Sequence, residues 1–411
     1  MLKTGISVLA LLIGLHGTPD IKPMADAAAI VRMAEDADYQ RRENEELLIQ
    51  MGMYGALSGF NAFTQSSIPS SLLESVQQVS ISLTAGNGSN TGAISAVTTT
   101  RTSIHHQGET SDGGAVSAVG RGSVAFSFAS GTSVNAERGV TSDNTVGNCV
   151  VVQWAAGVTQ SVQYGTSDLN GLTQGDITIS AVTAANAGTL LNGVKSSLTA
   201  NGADVGLVNI YHNSTTVIRG ERAGSSAVAH VFYACSLEFV AGVLNSSTQQ
   251  AAVASSGTVT NVDATISAVT LAQTMLGWCG SRDAGTANHL LRRHRTEITS
   301  TTNIKFTRSS SSSNVMTGIA YVFEFKSQYM AGVDNVTGTW GSGETTHNEA
   351  ISAVAAVNKC IPSWLETSSA QTAWSNASAR TSLTTTTNEE MVRAATGASS
   401  TLTTTQIAEF V

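Results

Sequence analysis

One four-residue phrase, Ile-Ser-Ala-Val, occurs four times at nearly constant spacing and constrains the fold of this chain more than any other feature. The copies begin at Ile94, Ile179, Ile266 and Ile351, so the steps between them are 85, 87 and 85 residues. Repeats decide an architecture before single elements do, so we interpret the chain first as a tandem array. A period near 85 residues is too long for one solenoid unit, but long enough for a small unit with its own core.

Two further sets of residues keep the same period. An aromatic residue follows an acid or an amide near the end of each unit, at Trp154, Phe239, Phe325 and Phe410. A lone arginine follows a run of mostly polar residues, at Arg138, Arg222, Arg308 and Arg393. Three sets that share one period predict four copies of one unit, which we place at residues 74–157, 158–242, 243–332 and 333–411.

The recurring arginine has two interpretations. It could be a binding residue that each unit displays once, or a structural residue whose stem packs and whose guanidinium bonds carbonyl groups or the neighbouring acid. A unit that is reused four times repeats its framework most faithfully. We therefore favour the structural role.

Alternating apolar and polar residues predict strands inside each unit. Val79, Ile81 and Leu83 alternate with serine, and Asn-Gly pairs such as Asn87-Gly88 predict turns between strands. Two packed antiparallel sheets with five to seven strands in all suit a unit of this size. The sequence thus predicts a mostly β chain with four tandem antiparallel β-sandwich (Ig-like) domains of about 85 residues. Placed end to end, the four domains would form a rod more than about 100 Å long.

The Ile-Ser-Ala-Val phrase itself is predicted to be a strand. Its isoleucine and alanine would then face one side of the sheet, and its serine and valine the other. The aromatic residue of each unit would fill that unit's own core at the end of its last strand.

The first 73 residues do not repeat. Residues 1–19 hold an apolar run that is too short to span a bilayer, and we interpret it as a retained segment that packs against a partner. A secretion signal is the alternative. Residues 20–54 have helical spacing after a candidate N-cap at Asp20, and predict an anchoring or oligomerising helix; a solvated helix packed on the first β domain is the alternative. Residues 55–73 are predicted to be a linker.

Composition and motifs disfavour several classes of function. Only 12% of the residues are charged and the net charge is −8, so the chain lacks the basic footprint of a nucleic-acid binder. It contains no phosphate loop, nucleophile elbow or metalloprotease helix. We therefore predict a protein that is not an enzyme and that uses no catalytic residue, cofactor or metal. The adjacent His105 and His106 would point to opposite faces of a strand and could not chelate a metal from one side.

Two groups of residues leave alternatives open. Each unit has one cysteine, which we interpret as a buried thiol, with bridges between units or chains as the alternative: Cys149, Cys235, Cys279 and Cys360. The most basic stretch of the chain holds His289, Arg292, Arg293, His294 and Arg295. It could bind an acidic glycan or another subunit, but we favour a solvated strand that happens to be basic.

The repeated phrase, the polar run with its arginine and the closing Glu-Phe resemble tandem β modules of tailed-bacteriophage virion proteins. The resemblance covers residues 74–411 and concerns the order of the repeated marks and the composition. The first unit departs from the pattern, since Ala115–Val119 offers a competing copy of the phrase. The resemblance implies a structural virion component of the fibre, spike, whisker or decoration type, placed at the virion surface.

The same resemblance implies partners. The N-terminal segment would bind other virion proteins, the chain would form a homo-oligomer, and its surface could contact a host cell-surface glycan. We expect no nucleic acid and no membrane span. A secreted bacterial adhesin or surface-layer protein with a signal at residues 1–17 is the second hypothesis, and a glycan-active enzyme is the third.

Overall fold

The computed structural model describes residues 68–411 except 114–117, 200–201, 256–257, 286–288, 310–313, 342, 370–372 and 397–400. The predicted apolar segment, the predicted anchoring helix and residues 55–67 of the predicted linker lie outside the described residues. The linker's last residues, 68–73, are described; Leu72 is buried, and the first strand already begins at Leu73.

Each repeat contributes six strands in the same order. Repeat 1 holds β1 (Leu73–Leu83), β2 (Ser89–Ala93), β3 (Thr102–Ser111), β4 (Ala125–Ser130), β5 (Ser133–Glu137) and β6 (Thr145–Trp154). Repeat 2 holds β7 (Thr159–Asp168), β8 (Gln174–Thr178), β9 (Ala187–Ser196), β10 (Asn209–Ser214), β11 (Val217–Glu221) and β12 (His230–Phe239). Repeat 3 holds β13 (Gln249–Ser255), β14 (Asn261–Thr265), β15 (Thr274–Asp283), β16 (His294–Ser300), β17 (Asn303–Arg308) and β18 (Met316–Glu324). Repeat 4 holds β19 (Met330–Thr339), β20 (Thr346–Ala350), β21 (Cys360–Ser369), β22 (Arg380–Thr385), β23 (Asn388–Val392) and β24 (Thr401–Phe410).

The helices in the described part of the chain are all short. After the third strand come α1 (Val119–Gly122), α2 (Ala203–Gly206), the 3-10 helix His289–Leu291 and α3 (Trp374–Ala377). Other 3-10 helices span Thr99–Arg101, Ala184–Asn186, Leu271–Gln273, Ser327–Tyr329 and Val357–Lys359. Among the described residues, no helix is long and apolar enough to cross a membrane.

Within a repeat, the strands pair as two antiparallel sets of three. The first, sixth and third strands form one set, and the second, fifth and fourth form the other. The sixth strand lies between two partners, which explains its continuous apolar sequence: Val150, Val151 and Val152 of β6 are all fully buried. One face of the first strand is exposed to solvent. In β1, the buried Val79, Ile81 and Leu83 therefore alternate with exposed serines.

The sheets continue from one repeat into the next. The fourth strand of a repeat pairs with the third strand of its neighbour: β4 with β9 (Ala125↔Gly193), β10 with β15 (Asn209↔Gly280) and β22 with β3 (Arg380↔Gly108). We call these contacts junctions 1–2, 2–3 and 4–1. Because junction 4–1 joins the last repeat to the first, the four repeats form a closed ring.

Hydrogen bonding divides the strands into five sheets in a β-propeller-like arrangement. Three sheets have six strands, each shared by two repeats, and two have three strands, β14–β17–β16 and β19–β24–β21. The two small sheets meet at junction 3–4, where β16 and β21 lie side by side without pairing. They are the two halves of a sheet that is continuous at the other three junctions.

The mostly β character is confirmed, but the prediction of four tandem β-sandwich domains is wrong. Residues Ile68–Val411 form one unit, because shared sheets cross the repeat boundaries. Isolated units would each expose a third and a fourth strand as sheet edges, and pairing in a ring covers those edges. The predicted projecting rod is wrong for the same reason, since repeat 4 returns to repeat 1.

The buried apolar residues form one cluster that all four repeats share and smaller clusters within single repeats. The largest buried cluster draws on all four repeats and includes Leu72 just before the first strand. Smaller clusters fill repeats 1, 3 and 4 between their own two sets of strands. A shared interior gives units of about 85 residues more buried surface than each could seal alone.

Candidate functional site

The four repeated aromatic residues meet at the centre of the ring. Trp154 lies 5.0 Å from Phe239, Phe239 lies 5.3 Å from Phe325, and Phe325 lies 5.1 Å from Phe410, between ring centroids. Trp154 and Phe410 close the circle at 6.0 Å. All four of these pairs are edge-to-face, a favoured geometry for aromatic rings. Each aromatic was predicted to fill the core of its own unit; instead, the four form one shared central aromatic cluster.

The four repeated arginines are fully buried and bond backbone carbonyl groups. Arg138 donates to the carbonyls of Asn87, Asp143 and Thr84, and Arg222 donates to four carbonyls, among them Leu172 and Val205. Arg308 and Arg393 occupy the same place in their repeats, and Arg393 also lies 5.0 Å from the Trp340 ring centroid. These side chains bind loops of their own repeats together and offer no charge to a ligand.

The Ile-Ser-Ala-Val phrase is an extended segment after the second strand and not a strand itself. The N–H groups of its isoleucine and valine donate to the turn between the fourth and fifth strands; in repeat 1 they are Ile94 to Thr132 and Val97 to Gly131. The same bonds recur from Ile179, Ile266 and Ile351. Isoleucine and valine therefore both face the interior, while the serine and alanine between them are exposed. The predicted pairing of isoleucine with alanine on one side is wrong.

The basic stretch at residues 289–295 is not a solvated strand. Arg293 is only 6% exposed, and His289, Arg292 and His294 are also buried. A buried guanidinium needs charged or carbonyl partners, and Arg293 finds two acids from distant parts of the chain. The interpretation of this stretch as a surface for an acidic glycan is therefore wrong as well.

Arg293 forms the middle of a buried cluster of charges. Its Nη2 lies 2.6 Å from Glu109 Oε1 and its Nη1 lies 3.2 Å from Glu366 Oε1. The guanidinium also lies 4.7 Å from the Trp374 ring centroid. Glu109 belongs to β3 and Glu366 to β21, so the group connects repeats 1, 3 and 4. With His106, these residues make up the central charge cluster.

His106 completes this cluster as a hydrogen-bond donor. Its Nδ1 accepts the Gly108 N–H at 3.0 Å, so its proton is carried on Nε2, which lies 3.1 Å from Glu109 Oε2. The imidazole is held among the rings of Phe126, Trp278 and Trp364 at centroid distances of 5.3, 5.0 and 5.1 Å. His106 is thus fixed in place by aromatic packing and by both of its nitrogens.

The two acids of the cluster differ in their protonation. Burial alone would raise the pKa of Glu109, but the Arg293 guanidinium and His106 outweigh it and bring this pKa to about 2. Burial raises the pKa of Glu366 to about 7, and the nearby Glu109 carboxylate adds to that rise against the opposing effect of Arg293. In mildly acidic solution, Glu366 is therefore largely protonated while Glu109 stays ionised beside Arg293.

A small cavity of about 40 Å³ adjoins the central charge cluster. Residues of all four repeats line it, among them Glu109, Leu191, Arg293 and Glu366. This volume holds a few water molecules and no organic substrate. Among the described residues, the space beside the cluster therefore suits water and not an organic ligand, and the cluster is a buried support of the ring.

A larger groove lies on the surface of repeat 2. It has a volume of about 680 Å³ and is lined mainly by neutral residues, among them Thr100, Gln160, Thr183, Asn186 and Val240. Its one acid, Glu238, already accepts the Thr183 N–H at 2.7 Å and the Ser161 hydroxyl at 3.0 Å. The groove thus presents hydroxyl and amide groups without a free charge.

The remaining candidate residues are buried. His105 and His106 both lie inside β3, and the four cysteines are free buried thiols. In the part of the chain that the structure describes, no three or more His, Cys, Asp or Glu side chains are grouped so that they could hold a metal ion.

Glu389 is a further buried acid that the repeat pattern did not predict. It occupies the core position that holds Val134, Ile218 and Ile304 in the other repeats, and it is fully buried. Its Oε2 accepts the Thr405 hydroxyl, and its Oε1 has no partner among the described residues. Burial raises its pKa to about 8, with help from Glu349 and Asp334.

Replacing Glu389 with isoleucine is therefore expected to stabilise the protein, by on the order of 3 kcal/mol more at pH 8 than at pH 5. Between the unfolded pKa of 4.5 and the folded pKa of about 8, this group binds more protons when folded. Its contribution to stability is thus complete below pH 4.5 and falls by about 1.4 kcal/mol per pH unit above it. Urea unfolding of Glu389→Ile at pH 5 and pH 8 measures the change. The matched control is Glu390→Ile, at the half-buried neighbouring position, and equal effects of both substitutions would contradict the account.

The whole protein is expected to be most stable near pH 6.5. Burial lowers the pKa of four histidines: those of His105 and His212 to about 4, and those of His230 and His294 to about 3. Since the unfolded chain protonates these groups first, stability is lost as the pH falls below 6.5. Glu366 and Glu389 act in the opposite sense and remove stability as the pH rises toward 7 and 8. Four histidines outweigh two acids below pH 6.5. Above it the two acids remove stability, joined near pH 9 by the four cysteine thiols, whose pKa values burial raises. Unfolding midpoints from pH 4.5 to 9 measure this profile, and a steady rise to pH 9 would contradict it.

Comparison with known proteins identifies no relative. No protein-family model matches the chain, no curated protein matches its sequence, and no solved structure matches its fold.

Proposed function

We propose that the protein is a structural component of a tailed-bacteriophage virion. The ring of residues 68–411 is its non-enzymatic head, exposed on the particle surface. The residues before Ile68 anchor it to other virion proteins. The resemblance of the repeats to virion β modules supports this proposal, with a ring in place of the rod that the sequence suggested.

The observation that carries the proposal is the use of the repeated side chains. The aromatics form one central cluster, the arginines bond backbone carbonyls, and the repeated phrase anchors turns. The residues that repeat most regularly along the chain therefore serve to hold the ring together. A module with few charged residues and a hydroxyl-rich surface suits a particle component that must persist outside cells.

The groove on repeat 2 supports a contact with neutral sugars of the host surface. Its lining of Gln, Asn, Ser and Thr matches the hydroxyl groups of a glycan, and it holds no cation for an acidic one. Many copies on one particle would multiply a weak affinity.

Mass spectrometry of purified particles from the host culture tests the proposal. The protein should be present at a fixed ratio to the major capsid protein, and antibody labelling should mark one position on the particles. A protein found only in the bacterial envelope or in the medium would contradict the proposal and favour the adhesin hypothesis.

A further inference from the structure

Three of the four junctions share one backbone arrangement, a glycine with positive φ in the third strand. At a bulge in the third strand, Gly108, Gly193 and Gly280 have φ values of 82°, 113° and 79°. A Cβ at these glycines would overlap the carbonyl oxygens of Ala379, Val124 and Val208 in the neighbouring repeat. Only glycine allows both this left-handed conformation and this close approach. This glycine allows the fourth strand of one repeat to pair with the third strand of its neighbour.

Junction 3–4 has different residues at both places. Glu366 takes the position of the glycine, with φ 84°, and is the only residue other than glycine with positive φ among those described. Arg293 takes the position of Ala379, Val124 and Val208 in the facing repeat. A side chain in the left-handed region is strained and occupies the space that the neighbouring carbonyl needs.

Side chains at this junction also take hydrogen bonds that the backbone makes elsewhere. At junction 2–3, the Ser281 N–H donates to the Val208 carbonyl across the repeats at 3.0 Å. The matching N–H of Thr367 instead meets the Glu366 carboxylate at 3.2 Å. The His294 N–H, at the start of β16, donates to the Ser281 hydroxyl of its own repeat at 3.0 Å. β16 and β21 are therefore neighbours that share no sheet hydrogen bond.

We propose that junction 3–4 is the point at which the ring opens, and that the central charge cluster holds it shut in place of a shared sheet. Glu109 of repeat 1, Arg293 of repeat 3 and Glu366 of repeat 4 meet at this junction. Arg293 Nη1 also donates to the Ser378 hydroxyl of repeat 4 at 3.3 Å. Water that enters between β16 and β21 weakens these charge contacts, while the other junctions keep their backbone bonds.

Hydrogen exchange of the full chain, followed by mass spectrometry, tests this proposal. In the native protein, the amide of Thr367 should exchange at least about tenfold faster than its counterparts at the other junctions, which are Glu109, Val194 and Ser281. The three paired junctions thus serve as internal controls in the same molecule. Equal exchange at all four junctions would overturn the proposal.

Two substitutions of Glu366 distinguish the effect of its side chain in the left-handed conformation from a general loss of stability. Glu366→Gly restores the glycine and leaves Arg293 paired with Glu109, so exchange at junction 3–4 should slow to the level of the other junctions. Glu366→Gln keeps a side chain at the left-handed position and should leave the difference in place. A Glu366→Gly protein that exchanges as fast as the native one would overturn the proposal, as would a Glu366→Gln protein that exchanges as slowly as the glycine variant. If neither variant folds, the comparison within the native protein decides alone.

Discussion

Replacing Arg293 with methionine is expected to lower the free energy of unfolding by about 3–5 kcal/mol. Methionine keeps most of the length of the side chain but leaves Glu109 and Glu366 together in the interior without a cation. The loss should be smaller at pH 5 than at pH 8, because both carboxyls can then be protonated. Denaturant unfolding at the two pH values measures both effects.

The matched control is Lys305→Met, in the adjacent strand β17. Lys305 is partly exposed and its Nζ lies 3.5 Å from Glu297 Oε1, so its loss should change stability by less than about 1 kcal/mol. Similar losses for both variants would mean that Arg293 has no special place in the fold.

Replacing Phe325 with alanine is expected to lower stability by a similar amount, about 3–5 kcal/mol. Phe325 is fully buried and packs on the aromatic residues of the other three repeats. Since those repeats share its cluster, the variant should still unfold in one transition, at a lower temperature. Calorimetry and far-ultraviolet circular dichroism follow the transition.

Leu172→Ala is the control for that variant, because Leu172 is 51% exposed and its truncation leaves no interior cavity. Its effect should stay within about 0.5 kcal/mol. A Phe325→Ala protein that melts in two steps, with repeat 3 unfolding first, would indicate separate domains and contradict a shared centre.

The sequence predicts the repeats well, because the phrase at Ile94, the arginine at Arg138 and the aromatic at Trp154 each return with one period. It also predicts strands such as β1, where alternation follows the pleat. It does not predict that β4 pairs with β9 or that β22 pairs with β3. Those hydrogen bonds join backbone atoms of different repeats. Every residue except proline carries the same backbone groups, so the sequence pattern does not show which strands will pair.

The central charge cluster was missed for a related reason. Arg293 binds Glu109, which lies 184 residues away, and a single sequence does not show contacts over that separation. The basic stretch therefore looked like an exposed surface. One signal was present: Glu366 stands where Gly108, Gly193 and Gly280 stand in the other repeats. An acid that replaces a glycine in one copy of a repeat marks a place where the fold differs.

The phrase Ile-Ser-Ala-Val was placed correctly as a repeated mark but not as a strand. Both Ile179 and Val182 are buried and lie three residues apart, a spacing that a flat strand does not produce. Their N–H groups bond two successive carbonyls of one turn, at Thr216 and Thr215, and this bends the segment away from strand geometry.

The closed ring itself is tested most directly by a distance between repeats 1 and 4 in the full chain. Spin labels at Ser80→Cys and Thr384→Cys occupy exposed sites next to Gln78 and Leu383, whose groups bond across junction 4–1 at 2.8 Å. The four native thiols are buried, so labelling falls on the new cysteines. Double electron–electron resonance should give a single distance of roughly 15–30 Å if the ring closes. A distance beyond about 70 Å, as for two ends separated by two intervening domains, would contradict it.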